Sequence, residues 1–304
     1  MGIKKHNAAI KYIGVFLLTA SVLLTNFYAV RAEDTGTVGT SAQAAAVIEQ
    51  NSGRVLYNKN ADQELPMAST TKIMTAAVAL KYGNLSDVIE VSATAAGVEG
   101  SSMYLECGEK ITLENLLYGL MLLSGNDAAV AIAEHIGGGV DGFVELMNKT
   151  ASELGLSHTH FDNPNGLPSD THYTTALELA KITRYAMSMP EFVQIVSTKS
   201  KTIPWEGKGY DRSMTNHNKL LGSLEGCIGV KTGFTKAAGR CLVSAVNRND
   251  MTLICVTLND PNDWADHASL QNSMFQKYSQ NVLTSTEMII DKISVAGGML
   301  GYAG

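Results

Sequence analysis

Ser69 and Lys72 stand three residues apart in MASTTKIMTA (Met67–Ala76), where an apolar stripe of helical period begins. Residues three apart share a helix face, so the Lys72 amine can reach the Ser69 hydroxyl from one turn below. A serine hydroxyl becomes a good nucleophile only beside a base. Lysine, with a pKa of about 10.4 in water, can be that base only when desolvation or a second cation lowers its proton affinity. The pattern therefore demands another positive residue close by. Taken alone it also admits a plainer reading, because serine at the start of a helix is a preferred cap.

Two further motifs follow in order. LLSGNDAA holds Ser124-Gly125-Asn126 between apolar helical stretches, and GVKTGFT holds Lys231-Thr232-Gly233 at the end of a strand pattern. Separately these are an ordinary turn and an ordinary strand end. Together and in this order, the three motifs resemble the S-x-x-K, S-x-N and K-T-G set of the penicillin-recognising serine acyltransferases, which include penicillin-binding proteins and class A β-lactamases. From Ala44 to about His267, through ASTTKIMTA, LLYGLMLLSGNDAAVAIAEHI, FDNPNGLP, NHNKLL, GVKTGFTKAAGRCLVS and VTLNDPNDWADH, the chain is similar to a low-molecular-mass D-alanyl-D-alanine carboxypeptidase.

The resemblance implies an acyl-enzyme mechanism on peptidoglycan stem peptides, inhibited by penicillin and needing no cofactor and no metal. In it Ser69 is the nucleophile and Lys72 the general base. Ser124 relays a proton to the departing amine, and Asn126 orients Lys72 and the substrate. Lys231 lowers the proton affinity of Lys72 and attracts the terminal carboxylate, to which Thr232 and Thr235 offer hydroxyls. Gly233 lets the substrate backbone lie against the strand edge, and the N–H groups of Ser69 and Thr235 form an oxyanion hole. Class A β-lactamases carry a glutamate that activates the deacylating water, whereas the corresponding SHTHFDNPNGLPSD has none. Penicillin is therefore expected to acylate Ser69 and remain attached. Two alternatives use the same residues: a D,D-endopeptidase, and a non-catalytic exported protein that only binds β-lactams or wall. His158 and His160 have metal-like spacing without an evident third ligand and read as a solvated loop.

The elements that must position these groups are legible from periodicity. AAAVIEQNSGRVLYNKNA reads as a hairpin about Asn51-Ser52-Gly53, and PMASTTKIMTAAVALKYGNL as a helix ending near Gly83. Residues 85–221 are mostly helical. CIGVKTG and RCLVSAVNRNDMTLICVTLN give three antiparallel strands. The expected fold is α/β (α+β), β-lactamase/transpeptidase-like: one antiparallel sheet flanked by helices, a helical lobe inserted at about 85–221, and a cleft between lobe and sheet. The expected catalytic domain spans 42–290, with 291–304 a linker or the stub of a further domain.

Composition sets the remaining bounds. With 304 residues, 45% hydrophobic and 17% charged, the chain can bury a sizeable core. A net charge of −6 gives no electrostatic footprint for nucleic acid. Lys4, Lys5 and Lys11 ahead of YIGVFLLTASVLLTNFYAV, with Val30 and Ala32 as small residues before a cleavage point, read as a signal peptide over 1–32. The protein is thus expected outside the cytoplasm, near the wall or membrane face. Its four cysteines are widely spaced and read as small buried apolar residues.

Overall fold

The computed structural model describes residues 38–279 and the short strands Ile293–Ser294 and Tyr302–Ala303. The leader, residues 280–290 and most of 291–304 lie outside the described residues.

The chain opens with β1 (Ala44–Glu49) and β2 (Val55–Lys59), paired antiparallel. Every residue of β1 is buried because it lies inside the sheet, which is why Ala44–Ile48 form a continuous apolar run before Glu49. A 3-10 turn, Ala68–Thr71, leads into α1 (Lys72–Tyr82). Lys72 to Ala79 are all buried, since α1 is enclosed by the helices that follow. These come after a small hairpin of β3 (Val88–Glu90) and β4 (Lys110–Thr112): α2 (Leu113–Leu122), α3 (Asn126–Gly137), α4 (Val140–Glu153), α5 (Ala176–Ala186) and α6 (Pro190–Ser197). A second small hairpin, β5 (Ser200–Ile203) with β6 (Arg212–Thr215), precedes β7 (Cys227–Thr235), β8 (Gly239–Arg248), β9 (Met251–Leu258) and α7 (Asp263–Lys277).

The main sheet has the order β2-β1-β9-β8-β7, so the early hairpin and the three late strands close one antiparallel sheet as expected. Helices α5 and α6 pack on one face, against β1, β9 and β7, while α7 packs on the other, against β8 and β9. A separate apolar cluster, Leu220, Leu224, Leu242 and Val246 with Trp264 and Phe275, fills the α7 side. The two small hairpins went unread in the helical middle, because strands of three or four residues are too short to establish a period of two. Of the cysteines, Cys241 and Cys255 are buried, as read, but Cys107 is exposed; all four are free thiols.

Candidate active site

The 3-10 turn carries Ser69, and neither it nor α1 uses Ser69 as a cap: the N-cap positions are Met67 and Thr71, without side-chain cap bonds. The turn is held from outside. Ala68 sits in the left-handed region at φ 47°. Its carbonyl accepts from Thr71 Oγ1 at 2.7 Å and packs against Gly166, where an added Cβ would lie 2.0 Å from that oxygen. His172 completes the support. Its Nδ1 accepts the Asp162 N–H at 3.0 Å, so Nε2 bears the hydrogen and donates to Thr71 Oγ1 at 2.8 Å. Burial pushes the His172 pKa down to about 4, which keeps this neutral tautomer in place.

Lys72 begins α1 and is fully buried. Its Nζ lies 3.0 Å from Ser69 Oγ, 2.8 Å from Asn126 Oδ1 and 2.5 Å from the Asn165 carbonyl. Burial, and then the charge of Lys231, hold its pKa well below the usual lysine value, with Asp127 opposing. Lys231, 1% exposed, is brought down to about 7 by burial, and its Nζ donates to the Thr232 carbonyl at 2.9 Å. The second cation required by the sequence pattern is therefore present.

Asn126 heads α3, with Nδ2 donating to the Glu99 carbonyl at 2.6 Å. That bond fixes which amide atom faces Lys72. Asp127 beside it accepts the N–H groups of Met103 and Leu105 and the Ser102 hydroxyl, which pins the 101–105 loop at the cleft. Ser124 sits at φ 61°, a conformation costing a non-glycine residue roughly 1–2 kcal/mol, and its buried side chain lines the cleft. The cleft, about 300 Å³, is lined by Ser69, Ser101, Ser124, His217, Thr232, Gly233 and Phe234, together with Arg240, Asp263 and Trp264.

β7 is the free edge of the sheet, and its register corrects one expectation. Arg240 turns its carbonyl toward the β9 side, where Asp260 N–H donates to it, while Asn247 turns its N–H to Gly226 on the β7 side. Odd-numbered residues of β8 therefore bond to β7, which makes Gly233–Cys241 and Thr235–Gly239 the hydrogen-bonded pairs. The Thr235 N–H is directed into the ladder and is not the oxyanion donor; Thr232 and Phe234 turn their backbone groups to the open edge. The Thr235 hydroxyl accepts the Ala238 N–H at 3.0 Å and closes the hairpin turn. Gly233 lies against the nucleophile turn: an added Cβ would meet Ser69 N at 3.1 Å. The peptide carrying the Phe234 N–H thus adjoins the Ser69 N–H.

Ser69, Lys72, Ser124, Asn126, Lys231, Thr232 and Gly233 come together as the sequence spacing anticipates. The Asn165 carbonyl, His172, Phe234 and His217 were not anticipated in these places. His217 takes its proton less readily than usual because of burial and Lys231. The H-x-H pair turns elsewhere: His158 to Glu64 at 2.8 Å and His160 to the Thr171 carbonyl at 2.9 Å.

A sheet of this order, with a serine–lysine turn set against its free edge, defines the β-lactamase/transpeptidase class of fold. A profile of the D-alanyl-D-alanine carboxypeptidase family matches residues 30–262. The carboxypeptidase DacF of Bacillus subtilis is 34% identical over 294 residues, covering 94% of this chain and 75% of its own length. The D-alanyl-D-alanine endopeptidase of Pseudomonas aeruginosa is 33% identical over 69% of each chain. The crystal structure of a Streptomyces DD-transpeptidase superposes with a TM-score of 0.74 at 35% identity, covering 78% of this chain and 98% of that one. The chain belongs to the D-alanyl-D-alanine carboxypeptidase family.

Proposed function

We propose that this serine-type D-Ala-D-Ala carboxypeptidase uses Ser69 to remove the terminal D-alanine from peptidoglycan stem peptides. The observation that carries the assignment is the buried Lys72 amine, depressed in proton affinity and 3.0 Å from the Ser69 hydroxyl. Ser69 Oγ attacks the carbonyl carbon of the penultimate D-alanine while its proton passes to Lys72. The developing oxyanion is held by the N–H groups of Ser69 and Phe234. Ser124, opposite, passes its proton to the nitrogen of the departing D-alanine and recovers one from the Lys72 ammonium, which leaves Lys72 neutral again. The ester left on Ser69 is then cleaved by water, with Lys72 again taking the proton. Lys231 and the Thr232 hydroxyl attract the terminal carboxylate, and the substrate backbone pairs with the edge of β7.

β-Lactams enter the same site and acylate Ser69; without a glutamate in residues 157–170 the adduct turns over slowly. The N-terminal leader pattern supports action outside the cytoplasm, at the membrane-facing side of the wall.

The test is incubation of wild type and Ser69→Ala with diacetyl-Lys-D-Ala-D-Ala, measuring free D-alanine and labelling by a fluorescent penicillin. Release and labelling that both vanish in the variant support the assignment. Labelling without release points to the endopeptidase or to a β-lactam-binding protein, and Ser69-independent release overturns the mechanism.

A further inference from the structure

The mechanism leaves Arg240, Asp263 and Trp264 on the cleft wall unassigned. Arg240 on β8 stands opposite Phe234 on β7, so its side chain shares a sheet face with Thr232 and Phe234. Its guanidinium is tethered on one side only: Nη2 donates to Asp263 Oδ1 at 2.8 Å, and the same oxygen accepts the Trp264 N–H at 2.8 Å. The Trp264 ring lies 5.9 Å from the guanidinium carbon. Asp263 is nearly buried, whereas the Arg240 side chain is 42% exposed. Nε is buried without a hydrogen-bond partner, and Nη2–Asp263 is the hydrogen bond of the otherwise part-exposed guanidinium among the described residues. An arginine carries five N–H donors in a planar fork suited to a carboxylate, so most of its capacity is unspent.

A tie between β8 and α7 alone would need neither a place on the cleft wall nor an unsatisfied donor. Arg240 has both, and it lines the same cleft as Ser69, Ser124 and Thr232. A chemical group that enters this cleft in every turnover of a carboxypeptidase is the free carboxylate of the leaving residue. Unlike Lys231, whose charge titrates near neutrality, a guanidinium stays charged throughout.

We propose that Arg240, positioned by Asp263 and Trp264, is a second anchor for the substrate's C-terminal carboxylate and thereby selects chain-terminal over internal peptide bonds. The proposal rests on the carboxypeptidase reading and deepens it.

The test compares two thioesters of diacetyl-Lys-D-Ala that give the same acyl-enzyme, one with thiolactate leaving and one with ethanethiol leaving, which lacks the carboxylate. In Arg240→Leu, kcat/KM for the thiolactate ester should fall roughly ten- to hundredfold, the worth of a charged hydrogen bond, while the ethanethiol ester stays within about twofold. Equal losses on both esters, or none on either, overturn the proposal. Should Arg240→Leu lack a thermal unfolding transition, Arg240→Lys decides: the thiolactate-to-ethanethiol ratio should fall at least about fivefold because the planar fork is gone, and an unchanged ratio overturns the idea. Wild-type protein that turns over neither ester would instead count against the carboxypeptidase reading itself.

Discussion

Among the described residues, Ser69 and Ser244 each hydrogen-bond to a basic side chain, one on each face of the sheet. On the cleft side Ser69 meets Lys72 at 3.0 Å; on the α7 side Ser244 meets His267 Nδ1 at 2.8 Å. The second pair is the shorter and by residue type the more familiar nucleophile and base. Yet Ser244 and His267 are sealed from solvent, the other ring nitrogen is taken by Thr257 at 3.0 Å, and Gln271 donates to the Ser244 hydroxyl at 3.2 Å. Nothing can approach the pair, whose groups are held by buried hydrogen bonds. Proximity of nucleophile and base is therefore not what marks a site; a route for the substrate and an oxyanion hole beside it are.

The sharpest way to break this contrast is to remove each hydroxyl. Ser69→Ala should abolish penicillin labelling and lower D-alanine release by at least about 10⁴-fold with an unchanged melting temperature. Ser244→Ala should leave labelling intact and cost about 1–3 kcal/mol in denaturant unfolding, because buried partners lose a hydrogen bond. Swapped outcomes would sink the distinction. Next in size, Lys72→Met should slow acylation by roughly 10²–10⁴-fold, the usual worth of a positioned base, measured as the rate of fluorescent penicillin labelling. Gly166→Ala tests the support under Ser69: with φ at +85° and the Ala68 carbonyl in the way, roughly 1–3 kcal/mol of stability and part of the acylation rate should be lost together.

The smallest effect concerns pH. Burial brings His267 to about 3, against 6.5 when exposed. Between these values the unfolded chain binds a proton that the folded chain does not, so stability falls as pH drops from 6.5 toward 3. His267→Gln should flatten that slope in chemical denaturation at pH 4 to 7, and His172 will leave part of it in place. An unaltered slope would show that His267 is protonated in the folded state.

What could be read beforehand divides along the same line. Ser69, Lys72, Ser124, Asn126 and Lys231 announce themselves because their chemistry belongs to the side chain and their spacing to a helix or strand. The Asn165 oxygen does not: it is a backbone group, and residue type carries no trace of it beyond the turn-forming Asn163-Pro164-Asn165-Gly166. His172 lies 101 residues from the Thr71 it braces. The oxyanion donor shows a different failure. The resemblance gave that place to the Thr235 N–H, but strand alternation has a period of two and the pairing with β8 turns Phe234, not Thr235, to the open edge. The sheet was legible because uninterrupted apolar runs, such as Ala44–Ile48, fit an interior strand, whereas the apolar stripe of the first helix did not show that other helices enclose it.

The three contacts of Lys72 permit a count of hydrogens. A neutral amine has two, and the carbonyl oxygens of Asn126 and Asn165 can only accept, so both hydrogens are committed to them. In the proposed mechanism the lone pair is thus left for Ser69, and once the proton has crossed, the ammonium's third hydrogen already faces the same oxygen. The partners keep their positions before and after the transfer. In the language of charge-transfer kinetics the step carries little reorganisation energy, because the folding of two asparagines about one amine has settled it in advance.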